Sequence, residues 1–69
     1  MRDFVKKICD ELHVNYSSSH SIEYNNRLVI FKPVSNRGER CAAVRIGEDN
    51  IFFSLLTPQY AAEFIERRA

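Results

Sequence analysis

The sequence predicts an α+β fold in which an N-terminal helix, a four-stranded antiparallel β-meander and a C-terminal helix follow one another. The chain of 69 residues is long enough for one hydrophobic core, so residues 1–69 are expected to form a single domain. Its two ends have helical periodicity, whereas its middle alternates with period 2 and is divided by turn-forming residues. The composition, 45% hydrophobic and 28% charged with two glycines and two prolines, excludes a disordered or collagenous chain.

The two ends of the chain are predicted as amphipathic helices. In residues 2–13 the apolar side chains recur at the spacing that places them on one face of a helix. They are Phe4, Val5, Ile8 and Leu12. A second helix is predicted from Thr57-Pro58 onward, because threonine is favoured as an N-cap and proline as the first helical residue. Its apolar stripe comprises Tyr60, Ala61, Phe64 and Ile65.

The middle of the chain is predicted as four strands, at 19–24, 27–34, 40–46 and 51–56, because these segments alternate and are rich in β-branched and aromatic residues. The segments between them carry residues that turns favour. These are Asn25-Asn26, the loop 35–39 with Gly38, and the loop 47–50. Short connections between consecutive strands indicate hairpins, so the sheet is expected to be antiparallel.

Turn lengths predict which side chains share a face of the sheet. A two-residue turn at Asn25-Asn26 places Ile22 opposite Val29, and a four-residue turn at 47–50 pairs Ile46 with Ile51. Both pairings belong to continuous apolar surfaces. This face is therefore predicted to carry the core beneath the helices.

The reverse face of the predicted sheet is half apolar and half charged. Its members are Leu28, Ile30, Ala43, Phe52 and Leu56, mixed with Lys32, Arg45 and Glu23. If both helices pack on the core face, this surface is exposed and marks an interaction site, because small monomeric proteins rarely expose large apolar patches. If the first helix covers it instead, the fold has three layers. The sequence leaves both arrangements open.

Charge is concentrated in the middle of the chain. The formal net charge is +1, yet residues 27–45 carry five basic residues against one acidic residue, a local charge of +4. This segment is expected to attract an acidic surface of another protein or a nucleoprotein. Nucleic-acid binding by the 27–45 region is kept as an alternative, although the reverse face offers a single aromatic, Phe52, for base stacking.

The cysteines, the histidines and the serines near His20 are candidates for two kinds of chemistry, metal binding and nucleophilic catalysis. Cys9, His13, His20 and Cys41 complete a Cys2His2 set, but the close pairing of cysteines in zinc modules is absent. A serine or cysteine beside His20 could act as a nucleophile, but no orienting third group or oxyanion site is identifiable. We therefore predict no metal, no cofactor and no catalytic residue.

The Ser19-His20 dipeptide near the first strand, together with the helix, sheet, helix order, resembles the small ribonuclease toxins of the HicA family. Serine stands at position 18, where the family usually has glycine. The resemblance implies ribonuclease activity with His20 as a catalytic residue, and it is a further alternative.

The cellular context is expected to be the cytoplasm. Two cysteines are too few for a disulfide framework, and no basic segment followed by an apolar run indicates secretion. The longest apolar runs, such as Ile51-Phe52-Phe53, are far shorter than a membrane span. No membrane contact is predicted.

These observations favour a non-catalytic interaction module that inhibits or regulates a larger macromolecule. Small binding proteins without a catalytic site are common among phage and mobile-element inhibitors of host defence. Self-association into a homodimer through the same surface is its structural counterpart. Apolar contacts are assigned to Leu28, Ile30, Phe52 and Leu56, and charged contacts to Lys32, Arg37, Arg40 and Arg45.

Overall fold

The computed structural model, which describes residues 1–69, contains a single four-stranded antiparallel sheet. One helix precedes the sheet in the chain and another follows it. The predicted α+β class and the order of elements are confirmed, and the strands lie in the sheet in chain order. The elements are α1 (Arg2–Leu12), β1 (Ser21–Tyr24), β2 (Arg27–Asn36), β3 (Glu39–Ile46), β4 (Asp49–Ser54) and α2 (Pro58–Arg68). Neither helix is long and apolar enough to cross a membrane.

The first helix ends where His13 adopts a left-handed backbone conformation, with φ 59° and ψ 42°. The His13 N–H donates to the Asp10 carbonyl at 3.3 Å, and the Val14 N–H donates to the Cys9 carbonyl at 3.0 Å. These bonds satisfy carbonyl groups that the end of a helix leaves without partners. The chain then turns back toward the sheet.

The second helix begins as predicted, with Thr57 before Pro58, although the Thr57 side chain makes no capping hydrogen bond. Its buried side is shifted around the helix from the predicted stripe and consists of Pro58, Ala61, Ala62 and Ile65. Tyr60, which the periodicity assigns to that stripe, is 60% exposed. The small alanines allow α2 to lie close to its neighbours, and Tyr60 falls on the flank of the helix.

Both helices cover the same face of the sheet. Phe4 of α1 meets Phe31 of β2 edge to face at 6.4 Å between ring centroids, and Phe64 of α2 lies 5.6 Å from Phe53 of β4. One buried cluster joins residues of both helices to alternate residues of the strands. The three-layer arrangement is therefore excluded, and the opposite face of the sheet has no helix over it.

The first hairpin has the predicted two-residue turn. Asn25 and Asn26 have φ of 51° and 64°, as a type I′ turn requires, and asparagine tolerates this region better than most residues. Ile22 pairs with Val29, which confirms the predicted register of β1 against β2.

The other two turns are shorter than predicted. Arg37 and Gly38, with φ of 54° and 78°, form a two-residue turn between β2 and β3 in place of a loop over 35–39. Gly47 and Glu48 form the turn between β3 and β4, and Ile46 pairs with Asp49. β2 and β3 are correspondingly longer than predicted, whereas β4 keeps six residues and begins two residues earlier.

The predicted pairing of Ile46 with Ile51 is therefore wrong, and Ile51 pairs with Val44 instead. The difference is a shift of two residues along β4. Because side chains alternate with period 2, a shift of two leaves every side chain on the face where the sequence places it. The predicted separation into a core face and a reverse face consequently survives the error.

Candidate functional site

The face of the sheet that the helices leave uncovered is termed the open face. Pairing across the strands assigns to it Ser21, Glu23, Leu28, Ile30, Lys32, Val34, Asn36, Glu39, Cys41, Ala43, Arg45, Asn50, Phe52 and Ser54. Leu28 is 58% exposed, Ile30 39% and Phe52 51%. Such a group of exposed apolar side chains on one surface of a small protein is typical of an interaction site.

Apolar and basic residues are cross-strand neighbours on the open face. Ile30 lies opposite Arg45, and Lys32 lies opposite Ala43, which in turn lies opposite Phe52. Directly opposed residues on adjacent strands have their Cβ atoms about 5 Å apart, so each cation stands beside an apolar group. Ala43 is buried beneath its neighbours and adds no exposed surface.

Arg45 is anchored to the turn that follows its strand. Its Nε donates a hydrogen bond to the Gly47 carbonyl at 3.1 Å. The bond uses one donor of the guanidinium group and leaves the others free to bind an acceptor. Arg45 therefore presents an oriented cation at the end of the sheet that contains the β1–β2 and β3–β4 turns.

A shallow depression of about 400 Å³ lies at this end of the sheet. Its lining consists of Asn26, Arg27, Leu28, Ile30, Arg45 and Gly47. Two guanidinium groups and two exposed aliphatic side chains thus contribute to one surface, with no carboxylate among the lining residues. This combination suits a carboxylate that is next to an apolar group.

Arg27 is the charged residue of this depression that the sequence pattern does not assign to the site. Its position in β2 belongs to the helix-side alternation, since it pairs with Tyr24. It nevertheless stands at the end of the strand, and its Nη2 lies 3.4 Å from where a Cβ on Gly47 would be. The feature of the sequence that points to Arg27 is the meander order of the strands, which brings the first and third turns to the same end of the sheet.

The other predicted arginines lie elsewhere. Arg37 occupies the β2–β3 turn, at the opposite end of the sheet, and Arg40 belongs to the helix-side alternation of β3. Arg40 lines a separate depression of about 430 Å³ with Met1, Pro33, Val34, Ser35, Cys41 and Leu55. Five strand residues span about 17 Å, so Arg40 and Arg45 do not act on one small ligand group.

Leu56 is not part of the open face. β4 ends at Ser54, and Leu56 lies in the turn before α2, where its N–H donates to the Ser54 hydroxyl at 3.2 Å. It is 84% exposed and lies beside Lys7 and Pro58 on the helix side of the molecule. The structure thus separates Leu56 from the other predicted apolar contacts.

Two surface depressions of the protein carry charges of opposite sign. The groove between α1 and α2 is lined by Glu11, Glu63 and Glu66 together with uncharged groups. The depression on the open face holds Arg27 and Arg45. The near-neutral total charge therefore conceals a local difference between an acidic groove and a basic depression, although Glu48 lies in the turn next to Gly47.

The cysteines and histidines occupy separate environments. Cys9 is buried in the core on the inner side of α1, whereas Cys41 is buried on the opposite side of the sheet. No three histidine, cysteine, aspartate or glutamate side chains lie close enough together to hold a metal ion. Burial raises the pKa of the Cys9 thiol above its ordinary value, and the Asp10 carboxylate adds to the increase, so Cys9 is a protonated core residue.

His20 lies immediately before β1. Its N–H donates to the Ser18 hydroxyl at 3.0 Å, and its carbonyl accepts the Phe31 N–H at 2.8 Å. Both bonds involve the backbone of His20, which gives the residue a role in continuing the sheet beyond β1. The imidazole ring is exposed and forms no hydrogen bond with another side chain.

Comparison of the chain with protein-family models, with curated proteins and with solved structures finds no match.

Proposed function

We propose that this protein is a non-catalytic interaction module that binds an acidic surface of a larger protein and thereby inhibits or regulates it. The observation that carries the proposal is the depression at the end of the open face, where Arg27 and Arg45 flank the exposed Leu28 and Ile30. Exposing apolar side chains of this kind to water costs free energy, and a bound partner that covers them removes that cost.

The binding mode follows from the chemistry of the lining. A carboxylate of the partner lies between the guanidinium groups of Arg27 and Arg45, which bind planar oxyanions through paired N–H donors. Apolar side chains next to that carboxylate contact Leu28 and Ile30, and Phe52 extends the contact across the sheet. The buried contacts supply affinity, while the two cations supply orientation and a fast association rate.

A protein partner is favoured over a nucleic acid by the distribution of charge and aromatic groups. Sheets that bind single strands usually stack bases on two or three rings, and the open face carries Phe52 alone. The acidic groove formed by Glu11, Glu63 and Glu66 disfavours any arrangement that wraps a polyanion around the molecule. Regulation then results from covering the partner's acidic surface, which is the simplest effect of a small module without catalytic groups.

The experiment compares affinity capture from the native cell by the wild type, by Arg45→Glu and by a matched control, Arg2→Glu. Arg2 is exposed at the start of α1, so its reversal changes the net charge equally on the opposite side of the molecule. We expect a protein that is retained by the wild type and by Arg2→Glu but lost with Arg45→Glu. Unchanged capture by Arg45→Glu would contradict the proposal, and a partner removed by nuclease treatment would favour the nucleic-acid alternative.

A further inference from the structure

The free edge of β4 has unused backbone hydrogen-bonding groups. β4 is the last strand of the sheet, and the Leu55 N–H that follows it donates to the Arg40 carbonyl of β3 at 3.4 Å. Because the N–H and C=O groups of successive strand residues point in opposite directions, those of Asn50 and Phe52 point away from β3. The Ser54 carbonyl, which also points outward, accepts the Thr57 N–H at 3.2 Å. Asn50 and Phe52 are thus the pair with both groups free.

Two large apolar side chains of β4 are exposed on opposite faces. Ile51 is 41% exposed on the helix side, and Phe52 is 51% exposed on the open face. A partner bound to the open face covers Phe52 and leaves Ile51 in water. A strand added along the edge covers both, so the exposure of Ile51 indicates an occupant of the edge that differs from the partner proposed above.

From Asn50 to Ser54, the edge of β4 lacks the features by which proteins block strand addition. Natural edge strands are protected by charged side chains, above all lysine, by proline, by bulges or by extreme shortness. The opposite side of the sheet shows two of these features, since β1 has four residues and the uncovered part of β2 contains Pro33. β4 has six residues, Asp49–Ser54, paired with β3 without a bulge and with no lysine or proline among them. Its one charged residue, Asp49, is the first of the strand and is paired with Arg68.

We infer that a second copy of this chain occupies the edge, with the two β4 strands antiparallel about a two-fold axis at Ile51. In this register Asn50 and Phe52 of each copy face Phe52 and Asn50 of the other, and each such pair exchanges both N–H···O bonds. The Ile51 side chains meet on the helix side. The Phe52 rings are diagonal neighbours on the open face, about 7–8 Å apart at the backbone and within reach of each other.

Charge favours a second copy at this edge. In the register centred on Ile51, Asp49 lies opposite Phe53 and Glu48 opposite Ser54, so no acidic residue faces another directly. The charges of α2 beside the edge are already paired within the chain, Arg68 with Asp49 at 3.0 Å and Arg67 with Glu63 at 3.9 Å. A face-to-face contact that matches like ends of the two open faces would instead bring Arg27 and Arg45 against their own copies.

The flank of α2 extends the apolar part of this edge. Phe64 packs on Phe53 of β4, and Tyr60 lies one turn earlier on the same side of the helix and is 60% exposed. The edge interface therefore combines strand pairing with apolar contacts above it. In the dimer the two sheets become continuous, and the two open faces lie side by side on one surface, so each dimer presents two binding sites for an acidic partner.

The test is the oligomeric state of the full chain by sedimentation equilibrium and by light scattering, compared between the wild type and two edge variants. Ile51→Lys places a charge at the two-fold axis. Asn50→Pro removes an outward N–H donor and leaves the bonds to β3 in place. Gln59→Lys is the matched control, because it adds the same charge at an exposed position beside the groove between the helices.

We expect a wild-type dimer of twice the 8.1 kDa chain mass and a dimer dissociation constant that rises at least about tenfold in both edge variants, with no change in Gln59→Lys. Circular dichroism verifies that each variant is folded. Hydrogen exchange gives a second readout, since the Asn50 and Phe52 amides should be protected in the dimer and exchange fast on dilution.

Three results would overturn the inference. The first is a wild-type protein that stays monomeric up to about 0.5 mM, a concentration at which even a weak dimer is populated. The second is a dimer that Ile51→Lys and Asn50→Pro leave intact, and the third is a dimer that is lost in Arg45→Glu but kept in Ile51→Lys. The third result places the second copy on the open face. Partner capture by Ile51→Lys separates the two proposals, because Ile51 lies outside the open face.

Discussion

Arg27 and Arg45 approach the same glycine from two neighbouring hairpins. The Arg45 Nε donates to the Gly47 carbonyl at 3.1 Å, and the Arg27 Nη2 lies 3.4 Å from the position of a Cβ on Gly47. Gly47 has a positive φ of 59° and is therefore suited to the turn as well as to the close approach of the side chain. Turn geometry and the placement of two cations thus depend on one residue.

Gly47→Ala tests this dependence. The left-handed backbone disfavours a Cβ, and the new methyl group contacts the Arg27 guanidinium, so we expect a loss of about 1–2 kcal/mol of unfolding free energy. Partner binding should weaken as well, because the two cations move apart. Urea denaturation and the affinity for the captured partner measure the two effects.

Gly38→Ala is the control for Gly47→Ala. Gly38 has φ of 78° and, apart from its chain neighbours, no atom within 4 Å of its Cβ position, so it carries the backbone strain at the end of the sheet away from Arg27 and Arg45. We expect a similar loss of stability and unchanged partner affinity. Equal losses of affinity in the two variants would show that Gly47 acts through stability alone.

The fold was predictable where local pattern decides it. The periodicity of residues 2–13 and the Asn25-Asn26 turn depend on neighbours in the chain, and both predictions are confirmed. The third turn was misjudged because Asp49 and Asn50 are turn-forming types that the structure places in β4. Period-2 alternation still gave the correct faces, since the error moved the register by an even number of residues.

The candidate site was less predictable because it depends on side-chain reach and on where elements end. Alternation assigns Arg27 to the helix side, yet its long side chain at the end of β2 reaches Gly47. Leu56 continues the alternation of β4 in the sequence, but the hydrogen bond from its N–H to Ser54 belongs to a turn. Neither the reach of an arginine nor the end of a strand is encoded by period-2 spacing.

Arg37→Asn is expected to stabilise the protein. Arg37 has φ of 54° in the β2–β3 turn, a conformation that asparagine adopts more readily than arginine. The gain in unfolding free energy should be part of the roughly 1–2 kcal/mol that a left-handed conformation costs an ordinary L-residue, measured by thermal and urea denaturation. Arg40→Asn, in the neighbouring strand, is the comparison and should give no gain. An unchanged or lower stability of Arg37→Asn would mean that the turn is not strained by arginine.

Val29→Ala and Ile30→Ala test the assignment of the two faces of β2. Val29 is fully buried under the helices, so its truncation should lower the unfolding free energy by about 2 kcal/mol. Ile30 is on the open face, and its truncation should cost less than about 1 kcal/mol while weakening partner binding about tenfold. The opposite order of stabilities would invert the faces and remove the proposed interface.

The Cys9 thiol makes stability depend on pH in the alkaline range. Burial raises the pKa of Cys9 in the folded state, so the unfolded chain loses this proton at lower pH than the folded protein does. The contribution to stability is complete below the unfolded thiol pKa of about 8.5 and falls as pH rises above that value. Cys9→Ala removes the titrating group. The difference in unfolding free energy between wild type and Cys9→Ala should therefore shrink between neutral pH and about pH 10 if the truncation is destabilising at neutral pH. A difference that stays constant over this range would show that Cys9 titrates alike in the folded and unfolded states, and would argue against its desolvation in the core.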